Sequence, residues 1–204
     1  MRMLLRSAVH AVKVNVLSPP SAAAHYRRSA RDRGFGVRQP SIPVQSLAKV
    51  EGLIAQCASC VVFGDPGSSK WLLDRDKRVL HLDRDMGRAF GVEHRLPPEH
   101  AKNLTVKVID RGQRHEDENY CLAGTEAIDA STLVVIGGSR RRKVLAAVAA
   151  LPVRPRAIIV VDGGRKKLKE ACEAVGELGW KIEVVSGLSA SASSTHASVA
   201  IITH

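Results

Sequence analysis

"WKIEVVSGLSASASSTHASVAIITH", residues 180–204, contains two β-rich runs, WKIEVVSGL and ASVAIITH, on either side of a Ser/Ala-rich stretch. Only Ser189–His196 joins them. Parallel neighbours need a crossover of a dozen or more residues, usually a helix, whereas antiparallel neighbours need only a turn. The chain is therefore predicted to close on an antiparallel hairpin.

Upstream the rhythm changes. The apolar runs CVVFGD (60–65), RVLHLD (78–83), LTVKVID (104–110), STLVVIGG (131–138) and RAIIVVDGG (156–164) read as strands. Helical stretches separate them: Ser68–Asp74 with Ser68 or Ser69 as N-cap, MGRAFG (86–91), a stretch near Glu126 after a polar loop (Arg111–Asn119), and RRRKVLAAVAAL (140–151) before Pro152. The last, RKKLKEACEAVGELG (165–179), sets Leu168, Cys172, Val175 and Leu178 on one side and ends at Gly179. A further amphipathic helix, with Val44, Leu47, Val50, Leu53, Ile54 and Cys57 at spacings of three and four, precedes them all. Strands alternating with helices argue for a parallel sheet covered on both faces. The predicted fold is α/β: a Rossmann-like, seven-stranded, mostly parallel sheet with a C-terminal antiparallel hairpin and helices on both faces.

Composition agrees with that sheet. With 45% hydrophobic but only 3% aromatic residues, the core is built from Val, Ile, Leu and Ala, as in strands buried on both faces. No apolar run reaches the roughly 20 residues of a membrane helix. The formal charge is +11, of which residues 1–40 carry +7, from eight Lys/Arg against Asp32 alone. This Arg-, Ser- and Ala-rich tail has the composition of an organellar transit peptide, the mitochondrion being the first expectation. The other readings are another organelle, or a cytoplasmic protein with a basic nucleic-acid-binding arm. Residues 41–204 form the folded α/β domain. Cys57-Ala-Ser-Cys60 has the spacing of a zinc or redox pair, but no second pair follows to complete four ligands. Two small buried hydrophobes at a helix–strand junction are expected instead.

Across about residues 44–204 the order of elements resembles the class I S-adenosylmethionine-dependent methyltransferases. The local carriers are VVFGDPGSSKWLLDRDKRVLHLDRD (61–85) and Ile136-Gly137-Gly138-Ser139-Arg140. They are similar to a branch of that superfamily with a Gly-X-Gly-X-Ser-Thr turn after the first strand and an acid-Gly-Arg stretch after the fourth. Asp65-Pro66 departs from that pattern, which has a small residue or glycine there. The resemblance implies S-adenosylmethionine as cofactor, held at the carboxyl ends of the strands. Gly64, Asp65, Gly67 and Ser68 would lie near its methionine and ribose. Asp83, 19 residues after Gly64, would accept both ribose hydroxyls, with Asp85 as the alternative if the register slips. Asp110 would face the adenine amino group, and Gly137 the methyl acceptor. The alternative for the 64–68 turn is a plain strand-ending turn, and for the whole chain a catalytically inactive, structural or RNA-associated subunit.

No residue stands out as a general base: His81 lies inside a strand, His115 in the polar loop, and Asp162 is a distant candidate. The chain has no GxGxxG and no GxxxxGK[ST], which disfavours dehydrogenase and phosphate-loop readings. Arg140-Arg141-Arg142-Lys143 and Arg165-Lys166 open two helices on the cofactor side of the sheet. Cations there oppose the helix dipole. An RNA or ribonucleoprotein partner would explain them; a solvated basic patch is the other reading. So few aromatics argue against recognition of single strands by stacking.

Overall fold

The computed structural model describes residues 41–94, 96–109, 116–164, 166–190 and 196–204. The 1–40 tail, His115, Asp110 and Arg165 lie outside the described residues. The strands are β1 (Ser59–Phe63), β2 (Arg78–Asp83), β3 (Leu104–Val108), β4 (Thr132–Ile136), β5 (Ala157–Val161), β6 (Lys181–Leu188) and β7 (His196–Thr203). They form one sheet in the order β3-β2-β1-β4-β5-β7-β6. β1 to β5 pair in parallel. β7 runs antiparallel to both β5 and β6, so the hairpin is present and inserts its second strand next to β5.

The helices are α1 (Leu47–Ala55), α2 (Pro66–Leu73), α3 (Met86–His94), α4 (Glu116–Leu122), α5 (Arg141–Ala149) and α6 (Lys166–Gly176). Every residue of β4 and β5 is buried, and alternate residues feed two cores. Phe63, Val134, Ile136, Ile158 and Val160 meet Val144, Leu145 and Val148 of α5 and Leu168, Cys172 and Val175 of α6. Val62, Leu133, Val135 and Ile159 meet Val50 and Ile54 of α1 and Trp71, Leu72 and Leu73 of α2. That two-sided burial is why these strands read as continuous apolar runs rather than as alternation.

Three local expectations change. α2 starts at Pro66, with Asp65 rather than Ser68 or Ser69 as N-cap, because proline's fixed φ and missing N–H suit the first helical position. α4 begins inside the stretch read as a polar loop, and Glu126 lies in a 3-10 turn, Thr125–Ala127. Leu178 is half-exposed, since the helix has already ended before it. Cys57 and Cys60 are buried free thiols at the α1–β1 junction, as expected. Burial pushes the Cys60 thiol up to about 12, which leaves it inert. Among the described residues no helix is long and apolar enough to cross a membrane.

Candidate cofactor site and basic rim

Parallel register lines up the carboxyl ends of the central strands. Phe63 stands opposite Leu82 on one side and Ile136 on the other, so the turns after β1, β2 and β4 share one rim. Gly64 donates its amide to the Leu82 carbonyl at 2.7 Å, and Gly137 and Gly138 both donate to the Phe63 carbonyl. Gly64 adopts φ +65°, and a Cβ there would lie 2.7 Å from the Gly138 Cα. Two glycines let the chains leaving β1 and β4 touch. Gly67 lies buried in the first turn of α2.

Asp65 fills the turn between them. Its carboxylate accepts from the Ser68 hydroxyl at 2.7 Å and from the Ser68 amide at 3.4 Å, and its side chain packs where a Cβ of Gly137 would stand. A carboxylate on the first amides of a helix is favourable both as a cap and toward the dipole. In this conformation the amide and hydroxyl of Ser68 are both held by the protein's own carboxylate.

Asp83 ends β2 and is 1% exposed. One oxygen, Oδ1, accepts from the amides of Arg84 (2.7 Å) and Asp85 (2.9 Å) and from the Arg88 guanidinium (2.9 Å). The other, Oδ2, has no hydrogen-bond partner and faces His81 Nε2, likewise without one, at 3.6 Å. His81 is held from behind by the Ser69 hydroxyl, 2.8 Å from Nδ1. A buried line thus runs from α2 through β2 to the rim. Burial alone would raise the Asp83 pKa, but the His81 imidazole, the Asp85 amide and the Arg88 charge outweigh it and hold the carboxyl below its ordinary range. Asp85, the alternative acid, caps α3 by accepting from the Arg88 amide. Asp83 is thus the buried acid at the end of β2, and Asp85 is a helix cap.

The ends of β4 and β5 are stapled together by Arg141. Its Nε donates to the Gly137 and Gly138 carbonyls at 3.0 Å, and its Nη1 reaches Asp162 Oδ2 at 3.0 Å. Asp162 takes φ +60°, in the left-handed region that is uncommon outside glycine. Beyond it Asp162, Gly164, Ser186, His196, Ala197 and Ser198 line a polar recess of about 240 Å³. The pairing of Ser186 with Ser198 in the hairpin sets those two hydroxyls side by side. His196 also lines this recess, a placement that sequence reasoning missed. Its signal was only a histidine at the start of the last strand, and the hairpin register had to be known to place it in the same recess as Asp162.

The basic residues separate. Arg140, at φ +60°, and Lys143 both reach Asp117 of α4, at 2.8 Å each, and Arg84 lies 3.3 Å from the same carboxylate. Arg141 is the staple, and Arg142 and Lys166 are exposed.

No protein-family model matches the sequence, and no curated protein matches it. The fold, by contrast, is shared with solved structures. One is a precorrin-6y C5,15-methyltransferase from Geobacter metallireducens GS-15: 15% identical, TM-score 0.56, covering 77% of this chain and 86% of that one. Another is an S-adenosylmethionine-dependent O-methyltransferase from Thermotoga maritima: 13% identical, TM-score 0.56, covering 81% and 66%. A third is a glycopeptide N-methyltransferase complexed with S-adenosyl-L-homocysteine: 9% identical, TM-score 0.53, covering 81% and 87%. With this strand order, an antiparallel β7 between β5 and β6, and these neighbours, the chain has the fold of the class I S-adenosylmethionine-dependent methyltransferases.

Proposed function

We propose that the chain is an S-adenosylmethionine-dependent methyltransferase acting on RNA or on a component of a ribonucleoprotein. The observation that carries the cofactor is Asp83: a carboxylate at the end of β2 with one buried oxygen that accepts no hydrogen bond and faces only the His81 imidazole, at 3.6 Å. A hydroxyl donor would satisfy that oxygen, and a ribose supplies two. Gly64 and the first turn of α2 border the same rim, so the nucleoside end fits the residues present, with Ser68 available to a methionine carboxylate once Asp65 turns away. When bound, the cofactor supplies a methyl group on a positively charged sulfur. The chain's own part is positional: Asp83 orients the ribose, and the Arg141 staple keeps the ends of β4 and β5 in register. The exposed Arg142 and Lys166, with Arg140 and Lys143, support a polyanionic acceptor.

A second reading is a cofactor-free scaffold of the same fold. The Asp65 cap and the contact of Gly64 with Gly138 favour it. Calorimetric titration with S-adenosylmethionine separates the two. Binding in the micromolar range, weakened at least about tenfold in Asp83→Asn, is expected for the loss of one charged hydrogen bond. No heat at millimolar cofactor, in wild type and in Asp65→Ser alike, leaves only the scaffold.

Residues 1–40 we read as a mitochondrial import segment, on composition. A fluorescent reporter carrying them at its amino end should enter mitochondria. Diffuse cytosolic fluorescence refutes this.

A further inference from the structure

His81 and Ser69 carry polar side chains that the proposed chemistry leaves unused, and both are 0% exposed. His81 stands two residues before Asp83 in β2, so the two side chains leave the same face of the strand. The ring is met on both sides. Nδ1 is 2.8 Å from the Ser69 hydroxyl, and Nε2 is 3.6 Å from Asp83 Oδ2. Neither Nε2 nor Oδ2 has a hydrogen-bond partner, and both are cut off from solvent.

The two neighbours differ in what they accept from the ring. A serine hydroxyl rotates and either donates or accepts, whereas a carboxylate only accepts. The carboxylate therefore decides where the ring proton sits. With a bare Nε2, two buried lone pairs would face each other and both would stay unsatisfied. With the proton on Nε2 the same pair is a donor facing an acceptor, and a small tilt of the ring brings it into hydrogen-bond range. Protons on both nitrogens would set a full charge where His81 meets no water, opposite a carboxylate that the Arg88 guanidinium already faces at 2.9 Å.

We propose that His81 is a positioning residue: it carries its proton on Nε2, directs it at Asp83 Oδ2 and accepts on Nδ1 from Ser69, and so fixes the plane in which Asp83 holds a ribose diol. The donors of Arg84, Asp85 and Arg88 all act on Oδ1, about which the carboxylate would otherwise swing. A carboxylate oxygen has two lone pairs, so one bond from His81 leaves the other for a ligand hydroxyl. The role toward the ribose rests on reading this rim as a cofactor site, whereas the position of the proton does not.

Long-range proton–nitrogen correlation spectra of the full chain, labelled with nitrogen-15, test the proton directly. Among the signals of eight histidines, those of His81 are the ones lost in His81→Gln. A protonated Nε2 beside a bare Nδ1 is expected; a bare Nε2, or protons on both nitrogens, overturns the assignment. Calorimetry with S-adenosylmethionine and with its counterpart lacking both ribose hydroxyls tests the role. The wild-type chain should prefer the diol at least about tenfold. His81→Leu, of similar bulk without a donor, should narrow that preference to within about threefold, and so should His81→Asn, whose amide is too short for Oδ2. His81→Gln presents an N–H at the depth of Nε2 and should restore the preference to within about threefold of wild type. Equal loss of affinity for both ligands, with the preference intact, marks a packing defect and overturns the positioning role. Binding of neither ligand by the wild-type chain removes the cofactor reading and the ribose role together, while the spectrum still decides the proton. Circular dichroism shows which variants fold, and His81→Asn tests the role where His81→Leu does not.

Discussion

Asp83→Ala is expected to lower stability by about 2–4 kcal/mol, because buried donors lose their charged acceptor while the half-exposed Arg88 can turn to water. The amides of Arg84 and Asp85 lose their acceptor, and the Arg88 guanidinium loses its counter-ion. Asp83→Asn keeps an acceptor oxygen and should cost about 1–3 kcal/mol. The pH dependence distinguishes charge from shape. The folded pKa of Asp83 is depressed, so its charge contributes stability above the unfolded value of about 3.9, and the contribution is lost as pH falls through the lower folded value. Urea unfolding should thus show the gap between wild type and Asp83→Asn at pH ~7 and its disappearance well below pH ~4. A gap that persists in acid means that the loss is one of packing.

Gly64→Ala should cost about 2–5 kcal/mol, from left-handed backbone forced on a residue with a Cβ and from overpacking. At φ +65° the added carbon would lie 2.7 Å from the Gly138 Cα and 3.1 Å from the Tyr120 hydroxyl. The nearer contact is backbone, which cannot swing aside as a long side chain does. The turns after β1 and β4 must move apart, and with them the Phe63 carbonyl that holds the Gly137 and Gly138 amides. Chemical denaturation reads the loss. A variant within about 0.5 kcal/mol of wild type shows that the two turns are not in fixed contact.

The fold was legible because its signals are local. Five apolar runs and a connection of Ser189–His196 determine parallel strands followed by a hairpin, whatever the side chains do at the rim. What could not be read is that β7 inserts between β5 and β6, since either strand of a hairpin suits the sheet's edge by pattern alone. The position of Asp83 at the end of β2 was legible from the apolar run it closes. The roles of Asp65 and Asp117 were not: Asp65 looked like an intrusion in a glycine turn, and Asp117 like a loop acid. Each acquires its role only from partners the sequence does not display, a helix start moved two residues earlier by Pro66 and three cations from two distant stretches, Arg84 after β2 and Arg140 with Lys143 at the start of α5. Arg140–Lys143 looked like a single run of charge, yet a helical backbone sends Arg141 to Asp162 and its neighbours Arg140 and Lys143 to α4.

The cap made by Asp65 turns the first turn of α2 into a lock with its own tethered key. A covalently attached competitor acts at millimolar effective concentration or above, and no dilution removes it. A small molecule arriving with a carboxylate must therefore outcompete a rival that is always present, and its measured affinity falls by the fraction of time the rival stays seated. Exchanging one aspartate for serine would reset that balance without touching Asp83 at the end of β2.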